Sequence, residues 1–188
     1  MWSILMVTVS CRPYEGPKCH IKPLISKTKQ EMKTLLKEYL KVNGNVSWQT
    51  IPELDLKNVS FEEQSHKAQC GFNYLKIALK QIKKHQEDLV GKNDDIVKKI
   101  DIMILEIRRT ISCVKHCLRN CTNVRTDEFD KYDIYEIKQW GRAVIESSVA
   151  FLGELNNLKT INQCFTTTNR KSNQITLGAK DMERFTQG

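Results

Sequence analysis

The chain has 188 residues and a formal net charge of +8 at pH 7, from 30 Lys and Arg against 22 Asp and Glu. This length suits one domain that buries its own core, and 8 Gly with 4 Pro are too few for the many turns of an all-β fold. The basic residues are spread along every predicted helix, without a basic patch or an aromatic stacking platform. Nucleic-acid binding is therefore not expected.

The first ten residues are apolar and have the character of a signal peptide. The run WSILMVTVS ends in small residues before Cys11, but it lacks a basic start and is short for a complete signal. Residues 1–10 are predicted to be a truncated signal peptide, the alternative being an apolar N-terminus without a role in export. Residues 11–162 are predicted to form a helical bundle, and residues 163–188 a flexible polar tail. No stretch approaches the about 20 apolar residues of a membrane span, so the mature chain is expected to be soluble and not inserted in a membrane.

A first helix is predicted from about Pro23 to Val42, because apolar residues recur there at helical spacing and Asn43-Gly44 is a C-cap signal. Its buried side is formed by Leu24, Ile25, Met32, Leu35, Leu36, Tyr39 and Leu40. Residues 44–59 contain Pro52 and no sustained periodicity. They are predicted to be a long connection.

The second helix is predicted to open at Ser60-Phe-Glu-Glu63, which has the sequence of a capping box. Its predicted inward residues are Phe72, Leu75, Leu79, Ile82 and Leu89. The segment Gly91-Lys-Asn-Asp94 should end this helix and cap the next one within about four residues. The third helix then carries Ile96, Ile100, Met103, Ile104, Ile107, Ile111, Val114 and Leu118 on its buried side.

A polar stretch from about Thr122 to Tyr132 leads to the last predicted helix, over residues 135–158. An apolar stripe at three- and four-residue steps marks its buried side: Val144, Ile145, Phe151, Leu152, Leu155 and Leu158. Connections of about 16, four and 11 residues make the second and third helices antiparallel neighbours and let the two long connections cross the bundle. The predicted fold is an all-α, four-helix up-up-down-down bundle with long first and third connections.

No enzyme motif is present, because the chain has no Gly-rich phosphate loop, no metalloprotease helix motif and no nucleophile elbow. The four histidines are scattered and each is expected at the surface: His20, His66, His85 and His116. Neither catalysis nor a cofactor is therefore predicted.

Seven cysteines suit a secreted chain with three disulfides and one cysteine left over: Cys11, Cys19, Cys70, Cys113, Cys117, Cys121 and Cys164. Steps of four place Cys113, Cys117 and Cys121 on one face of the third helix, where Cys11 and Cys19 could be joined to them. The same ladder, with His116, could instead bind a metal, although its spacing is not that of a zinc finger. Three glycosylation sequons begin at Asn45, Asn58 and Asn120.

Tyr135 and Lys138 lie three residues apart at the start of the last helix, so they project from one face. An aromatic side chain beside a cation at an exposed helix end is the composition of a binding hot spot. The alternative is that Tyr135 packs on the end of the bundle and that Lys138 is only solvated. Trp140 is expected to pack under the preceding connection rather than to contact a partner.

Several motifs resemble the leukaemia inhibitory factor, ciliary neurotrophic factor and oncostatin M group of the interleukin-6 superfamily of cytokines. The stretch from Tyr135 to Val144, YEIKQWGRAV, is similar to the start of the last helix in that group, which carries an aromatic-x-x-Lys motif followed by a Trp-Gly step. The end of the first helix, from Tyr39 to Gly44, resembles the Tyr-x-x-x-x-Gly ending of the group. Paired N-terminal cysteines against a late cysteine pair in the third helix also resemble leukaemia inhibitory factor.

The resemblance implies a secreted, monomeric class I helical cytokine that bridges a leukaemia inhibitory factor receptor-like chain and the shared signal-transducing subunit, with JAK-STAT signalling as the result. Tyr135 and Lys138 match the motif that contacts the first receptor. Faces of the first and third helices would contact the shared subunit, and the exposed candidates there are Arg108, Arg109 and Lys115. Alternatives are a four-helix cytokine with a different receptor pair, and an intracellular Cys-rich helical metal-binding or scaffold protein.

The resemblance also implies the disulfide pairs Cys11–Cys117 and Cys19–Cys113. The group has a cysteine near the start of its last helix, where this chain has Arg142 after Gly141. Cys70 would then pair with Cys164, which leaves Cys121 odd. A second departure is that Tyr135 stands where the group normally has Phe, so its hydroxyl must lie at the rim of a receptor pocket or find a partner.

Overall fold

The structure, a computed structural model, describes residues 19–45, 49–57, 59–115, 117–121, 124, 133–159 and 161. Four α-helices account for most of them: α1 Ile21–Asn43, α2 Phe61–Val90, α3 Asp95–Val114 and α4 Ile134–Leu155. A single 3₁₀ turn, Pro52–Leu54, lies in the first connection, and the described residues contain no strand. The predicted all-helical class with four helices is confirmed. The predicted signal peptide, the polar tail, Cys11, Cys164 and Asn58 lie outside the described residues.

The helix ends follow from local chemistry. Gly44 and Gly91 end α1 and α2 with φ of +81° and +91°, a left-handed conformation that favours glycine. Asp94 caps α3, because its side chain accepts a hydrogen bond from the Ile96 N–H at 2.9 Å. At α2 the expected capping box does not form. The Ser60 hydroxyl instead donates to the Glu63 carboxylate at 2.7 Å.

The core is filled from all four helices. Within it α1 and α2 each pack against both α3 and α4. Every residue of the predicted stripe of α4 is buried, from Val144 to Leu158. Phe72 of α2 meets Phe151 of α4 edge to face, with ring centroids 5.2 Å apart. The first connection joins this core, because Ile51, Leu54 and Leu56 are buried in it.

Three hydrogen-bonded contacts show which helix ends lie together. The side-chain amides of Asn43 and Gln86 exchange two hydrogen bonds of 3.2 Å, so the end of α1 lies beside the last turns of α2. The Tyr39 hydroxyl donates to the Lys138 carbonyl at 3.2 Å, which places the start of α4 beside the last turns of α1. The Leu56 N–H donates to the Glu154 carboxylate at 3.1 Å, which attaches the first connection to the end of α4.

Two predictions about helix interiors are wrong. Leu89 is 39% exposed, because the last turn of α2 extends past the buried Gln86, which faces Asn43 instead of an apolar neighbour. Helix α3 ends at Val114 rather than near Leu118, and the chain then tightens, with the Cys117 N–H donating to the Val114 carbonyl at 2.8 Å. The turn brings Leu118 into the core from outside the helix.

Candidate functional site

The start of α4 is held by a capping box. The Glu136 N–H donates to the Asp133 carboxylate at 2.7 Å, and the Asp133 N–H donates to the Glu136 carboxylate at 3.0 Å. These reciprocal bonds satisfy backbone donors that a helix start otherwise leaves open. Glu136 also places a negative charge in the first turn, where the helix dipole favours it. The first turn of α4 is therefore well defined despite its position at the end of the bundle.

Two large apolar side chains are exposed in this turn. Ile134 is 63% exposed and Tyr135 is 58% exposed, whereas Lys138 is half-buried. Lys138 forms no ion pair with any residue that the structure describes. A rigid helix start that presents an aliphatic side chain, an aromatic side chain and a cation has the composition of a protein-binding hot spot. The alternative in which Tyr135 packs on the end of the bundle does not hold within the described residues.

Tyr39 of α1 fixes the second turn of α4 from inside. Its buried hydroxyl donates to the Lys138 carbonyl, and its ring lies against Gly141. A Cβ atom on Gly141 would collide with the Tyr39 hydroxyl and lie 3.1 Å from Cζ of the ring. Burial raises the pKa of the Tyr39 hydroxyl, which keeps it a donor. The two segments that carry the family resemblance, around Tyr39 and around Gly141, thus contact each other.

Trp140 is buried, with 3% of its surface exposed, so it belongs to the interior rather than to a contact surface. The expectation that it packs in the interior is confirmed. The connection under which it was predicted to pack lies outside the described residues, apart from Val124.

The three candidate cations of α3 do not form one surface. Arg108 lines a groove between α2 and α3 with Lys80, Lys83 and Leu105. Arg109 lies on the other side of α3, where it donates to the Glu106 carboxylate at 2.6 Å. Lys115 follows the last residue of α3 as its C-cap, where a cation complements the helix dipole.

Glu106 anchors the α1 side of this region. It is buried, and besides Arg109 it pairs with Lys27 of α1 at 3.6 Å. One turn further along α3, the Thr110 hydroxyl lies 3.1 Å from the Thr28 hydroxyl of α1 in a buried hydrogen bond. The buried Thr28–Thr110 hydrogen bond and the ion pair from Lys27 to the buried Glu106 fix the register of α1 against α3. Arg109 is thus paired with the buried Glu106 carboxylate, whereas Arg108 lines the groove between α2 and α3.

Two exposed apolar residues of α3 were missed by the sequence analysis. Ile102 is 56% exposed and Leu105 is 52% exposed. Ile102 lines a groove between α1 and α3 together with Thr34 and Lys99, and Leu105 lines the groove between α2 and α3. The signal was available, because neither residue lies on the three- and four-residue stripe that carries the other isoleucines of α3. An apolar residue off the stripe of an amphipathic helix is a candidate contact residue.

The predicted site residues therefore lie in two separate places. Lys138 is beside Tyr39, and Arg109 is beside the Glu106–Lys27 pair. Tyr39 and Lys27 are twelve residues apart on α1, which is about 18 Å along a helix. A single small partner surface would not cover both places. The start of α4 and the exposed face of α3 are two candidate contact surfaces.

Disulfides join the helices near the start of α1 and the end of α3. Cys19 is joined to Cys113, the pair that the resemblance implies. Cys70 is joined to Cys121 and not to Cys164, so the prediction of Cys121 as the odd cysteine is wrong. The reason is that the chain after α3 lies along α2, where the Arg119 N–H donates to the Ser65 hydroxyl at 2.9 Å. Cys117 is also disulfide-bonded, and its predicted partner Cys11 lies outside the described residues.

The predicted cysteine ladder on one helix face is wrong as well, because only Cys113 of the three lies within α3. The histidines are mostly exposed, as expected, but His85 is half-buried and His116 is outside the described residues. His66 lies beside Cys70, with its ring nitrogens 3.8 and 3.9 Å from Sγ. Asn45 and Asn120 are both exposed.

Comparison of the chain with protein-family models, with curated proteins and with solved structures gives no match. Among the described residues, none of the four helices combines the length and the apolar character needed to cross a membrane. The features of the chain that bear on its function are the two contact surfaces and the disulfides.

Proposed function

We propose that the chain is a secreted four-helix cytokine of the interleukin-6 superfamily type, which bridges a leukaemia inhibitory factor receptor-like chain and the shared signal-transducing subunit. The observation that carries the proposal is the first turn of α4. Its capping box and the Tyr39 hydroxyl hold Tyr135 and Lys138 in place, and Tyr135 and Ile134 are exposed. An ordered, exposed tyrosine beside a cation supports a receptor contact, because tyrosine is enriched among the residues that contribute most to binding at protein interfaces.

The helix-end contacts support an up-up-down-down order as part of this proposal. The end of α1 lies beside the last turns of α2, and the start of α4 lies beside the last turns of α1. The segment Gly91–Asp94 between α2 and α3 is too short for anything but an antiparallel turn. This order of helix directions is that of the cytokine topology, in which the first and third connections are long.

A bridging cytokine needs two surfaces that two receptors can occupy at once. The start of α4 is one, and the face of α3 that carries Ile102 and Leu105 is the other. The apolar pair on α3 replaces Arg109 as the leading candidate there, because Arg109 is already paired with the buried Glu106. Lys115 stays a candidate at the end of α3.

Disulfides support secretion, because they persist in oxidising compartments. Two are formed between described cysteines, and Cys117 belongs to another. Free thiols in these positions would have favoured the intracellular alternative. Asn45 and Asn120, the exposed asparagines of two sequons, would accept glycans on such a route.

The test measures binding of the purified full chain to the ectodomains of the two receptor types, with two matched double variants. Tyr135→Ala with Lys138→Ala removes an exposed apolar and a cationic residue three positions apart on α4. Leu105→Ala with Arg108→Ala removes the same kinds of residue at the same spacing on α3. The α4 variant should lose at least tenfold in affinity for the first receptor only, because a hot-spot residue contributes about 2 kcal/mol or more. The α3 variant should lose affinity for the shared subunit only.

Each variant is the control for the other. Tyr135, Leu105 and Arg108 are exposed and Lys138 is half-buried, so helical content should not change in either variant. If the α4 variant binds the first receptor as tightly as the unsubstituted chain, the assignment of that surface is wrong. If neither receptor binds the unsubstituted chain, a panel of other class I cytokine receptors distinguishes a cytokine with a different receptor pair from a protein of another class.

A further inference from the structure

A histidine and two cysteines come together on α2 and in the segment after α3. His66 and Cys70 are four residues apart, so they lie on one face of α2. The chain after α3 brings Cys121 to the same place, with Cα atoms of Cys70 and Cys121 5.2 Å apart. One ligand atom from each of the three residues lies within 4.8 Å of the others.

In the oxidised chain these sulfurs are bonded to each other and leave no thiolate for a metal. The three ligand atoms nevertheless lie close enough together to hold one metal ion once the sulfurs separate. A tetrahedral site with metal–sulfur and metal–nitrogen bonds of about 2.3 and 2.1 Å separates its sulfur and nitrogen atoms by about 3.6 Å. His66 already lies 3.8 Å from the Cys70 sulfur through Nε2. Separation of the two sulfurs to about 3.8 Å would complete three of four tetrahedral positions.

We propose that reduction of the Cys70–Cys121 disulfide creates a site in which Cys70, Cys121 and His66 bind one soft divalent metal ion, with zinc as the expected ion. A dithiol reductant supplies two electrons and two protons, forms its own disulfide, and leaves two thiols on the chain. The metal then displaces the two thiol protons, and the imidazole binds as a neutral donor. Water takes the fourth position, since the described cluster offers three ligands.

The surroundings allow this exchange. His66 is exposed and both cysteines are half-buried, so a reductant and a metal ion reach the cluster without unfolding of the bundle. The segment after α3 is held on α2 independently of the disulfide, by the Arg119–Ser65 hydrogen bond and by the buried Leu118. Cys121 therefore stays near Cys70 after reduction. The bound metal would keep closed the same loop that the disulfide closes.

The test titrates Co²⁺, as a spectroscopic substitute for zinc, into the full chain after limited reduction with a phosphine, which brings no competing thiolate, at a dose at which circular dichroism shows that the helices remain folded. The reduced chain should show sulfur-to-cobalt charge-transfer absorption that zinc abolishes, and zinc should release about two protons per ion. The oxidised chain should show neither. His66→Ala should weaken binding at least tenfold while circular dichroism remains unchanged, because an exposed ligand is lost and no packing is.

Two cysteine variants locate the site. Cys70→Ser with Cys121→Ser should abolish the absorption, whereas Cys19→Ser with Cys113→Ser, which removes the same number of thiols, should retain it. The proposal is overturned if the reduced chain binds no Co²⁺, if His66→Ala binds it as tightly as the unsubstituted chain, or if the absorption depends on Cys19 and Cys113 instead. The His66 variant decides the matter if a cysteine variant fails to fold. None of these outcomes bears on receptor binding, which is assigned to α3 and α4.

Discussion

The two ends of the bundle are held together by different forces. At one end, the Cys19–Cys113 disulfide joins the start of α1 to the last turn of α3, and the Cys70–Cys121 disulfide joins α2 to the chain after α3. At the other end, the described contacts between α1, α2 and α4 are hydrogen bonds and close packing, including the Tyr39 hydroxyl on α4 and the Asn43–Gln86 amide pair. We call these the disulfide end and the Tyr39 end.

The exposed apolar side chains are concentrated at the end of the bundle that has no disulfide among the described residues. Five of the seven large apolar side chains that are exposed lie near the Tyr39 end, among the described residues: Val42, Leu89, Val90, Ile134 and Tyr135. The disulfides at the opposite end lower the conformational entropy of the unfolded chain, and this stabilises the whole bundle, including the end that has no disulfide. The Tyr39 end can therefore present apolar surface to a partner and depend on a few precise contacts for its geometry.

The largest expected effect comes from opening the disulfide end. Cys19 and Cys113 are separated by 94 residues, and Cys70 and Cys121 by 51. The loop-entropy relation gives costs of about 4.7 and about 4.1 kcal/mol for replacing each pair by serine. Urea unfolding of the two double variants measures both values. A cost below about 1 kcal/mol for either pair would contradict the view that this end is held by its covalent links.

At the Tyr39 end we expect Gly141→Ala to destabilise the chain. The new methyl group would collide with the Tyr39 hydroxyl inside the core, and overpacking of this kind costs about 1–3 kcal/mol. Gly153→Ala is the matched control on the same helix, because its methyl group would meet only the flexible end of Lys29. Alanine has the higher helix propensity, so the control should gain up to about 1 kcal/mol. Thermal unfolding of both variants measures the difference, and equal effects would exclude the close approach.

A smaller effect is expected from Tyr39→Phe, which removes the hydrogen bond to the Lys138 carbonyl at a cost of about 1 kcal/mol at neutral pH. Burial raises the pKa of Tyr39, so the folded chain keeps the phenol protonated while the unfolded chain ionises near pH 10. The Tyr39 chain should then lose stability as the pH rises above about 10, by up to about 1.4 kcal/mol per pH unit. The Phe variant lacks this dependence.

Unfolding of both proteins by urea between pH 8 and 11 measures the effect, since all other groups that titrate are common to the two chains. The stability difference at pH 8 should shrink and then reverse. A constant difference across this range would mean that Tyr39 ionises freely in the folded state. Combining Tyr39→Phe with Gly141→Ala should cost less than the sum of the two, because the colliding oxygen is absent.

Local rules in the sequence were sufficient for most of the helices. The apolar stripes of α1 and α4, the turn at Gly91–Asp94 and the glycine ends of α1 and α2 depend on residues within a few positions of one another. The wrong predictions about helix caps also have a local cause. Ser60 and Glu63 had the letters of a capping box, but their side chains bind each other, whereas Asp133 and Glu136 form the box that was not predicted.

Sequence periodicity thus determined the helical class, the number of helices and most of the core, because apolar side chains at helical spacing form one face of a helix and that face packs against the other helices. The pairing of Cys70 with Cys121, the contact of Tyr39 with Gly141 and the exposure of Ile102 and Leu105 join or separate residues far apart in the chain. Only tertiary packing decides these, since it sets where the chain turns after Val114 and which helix faces stay uncovered. The candidate contact surfaces belong to this second group, with Tyr135 and Lys138 marked in advance by their motif.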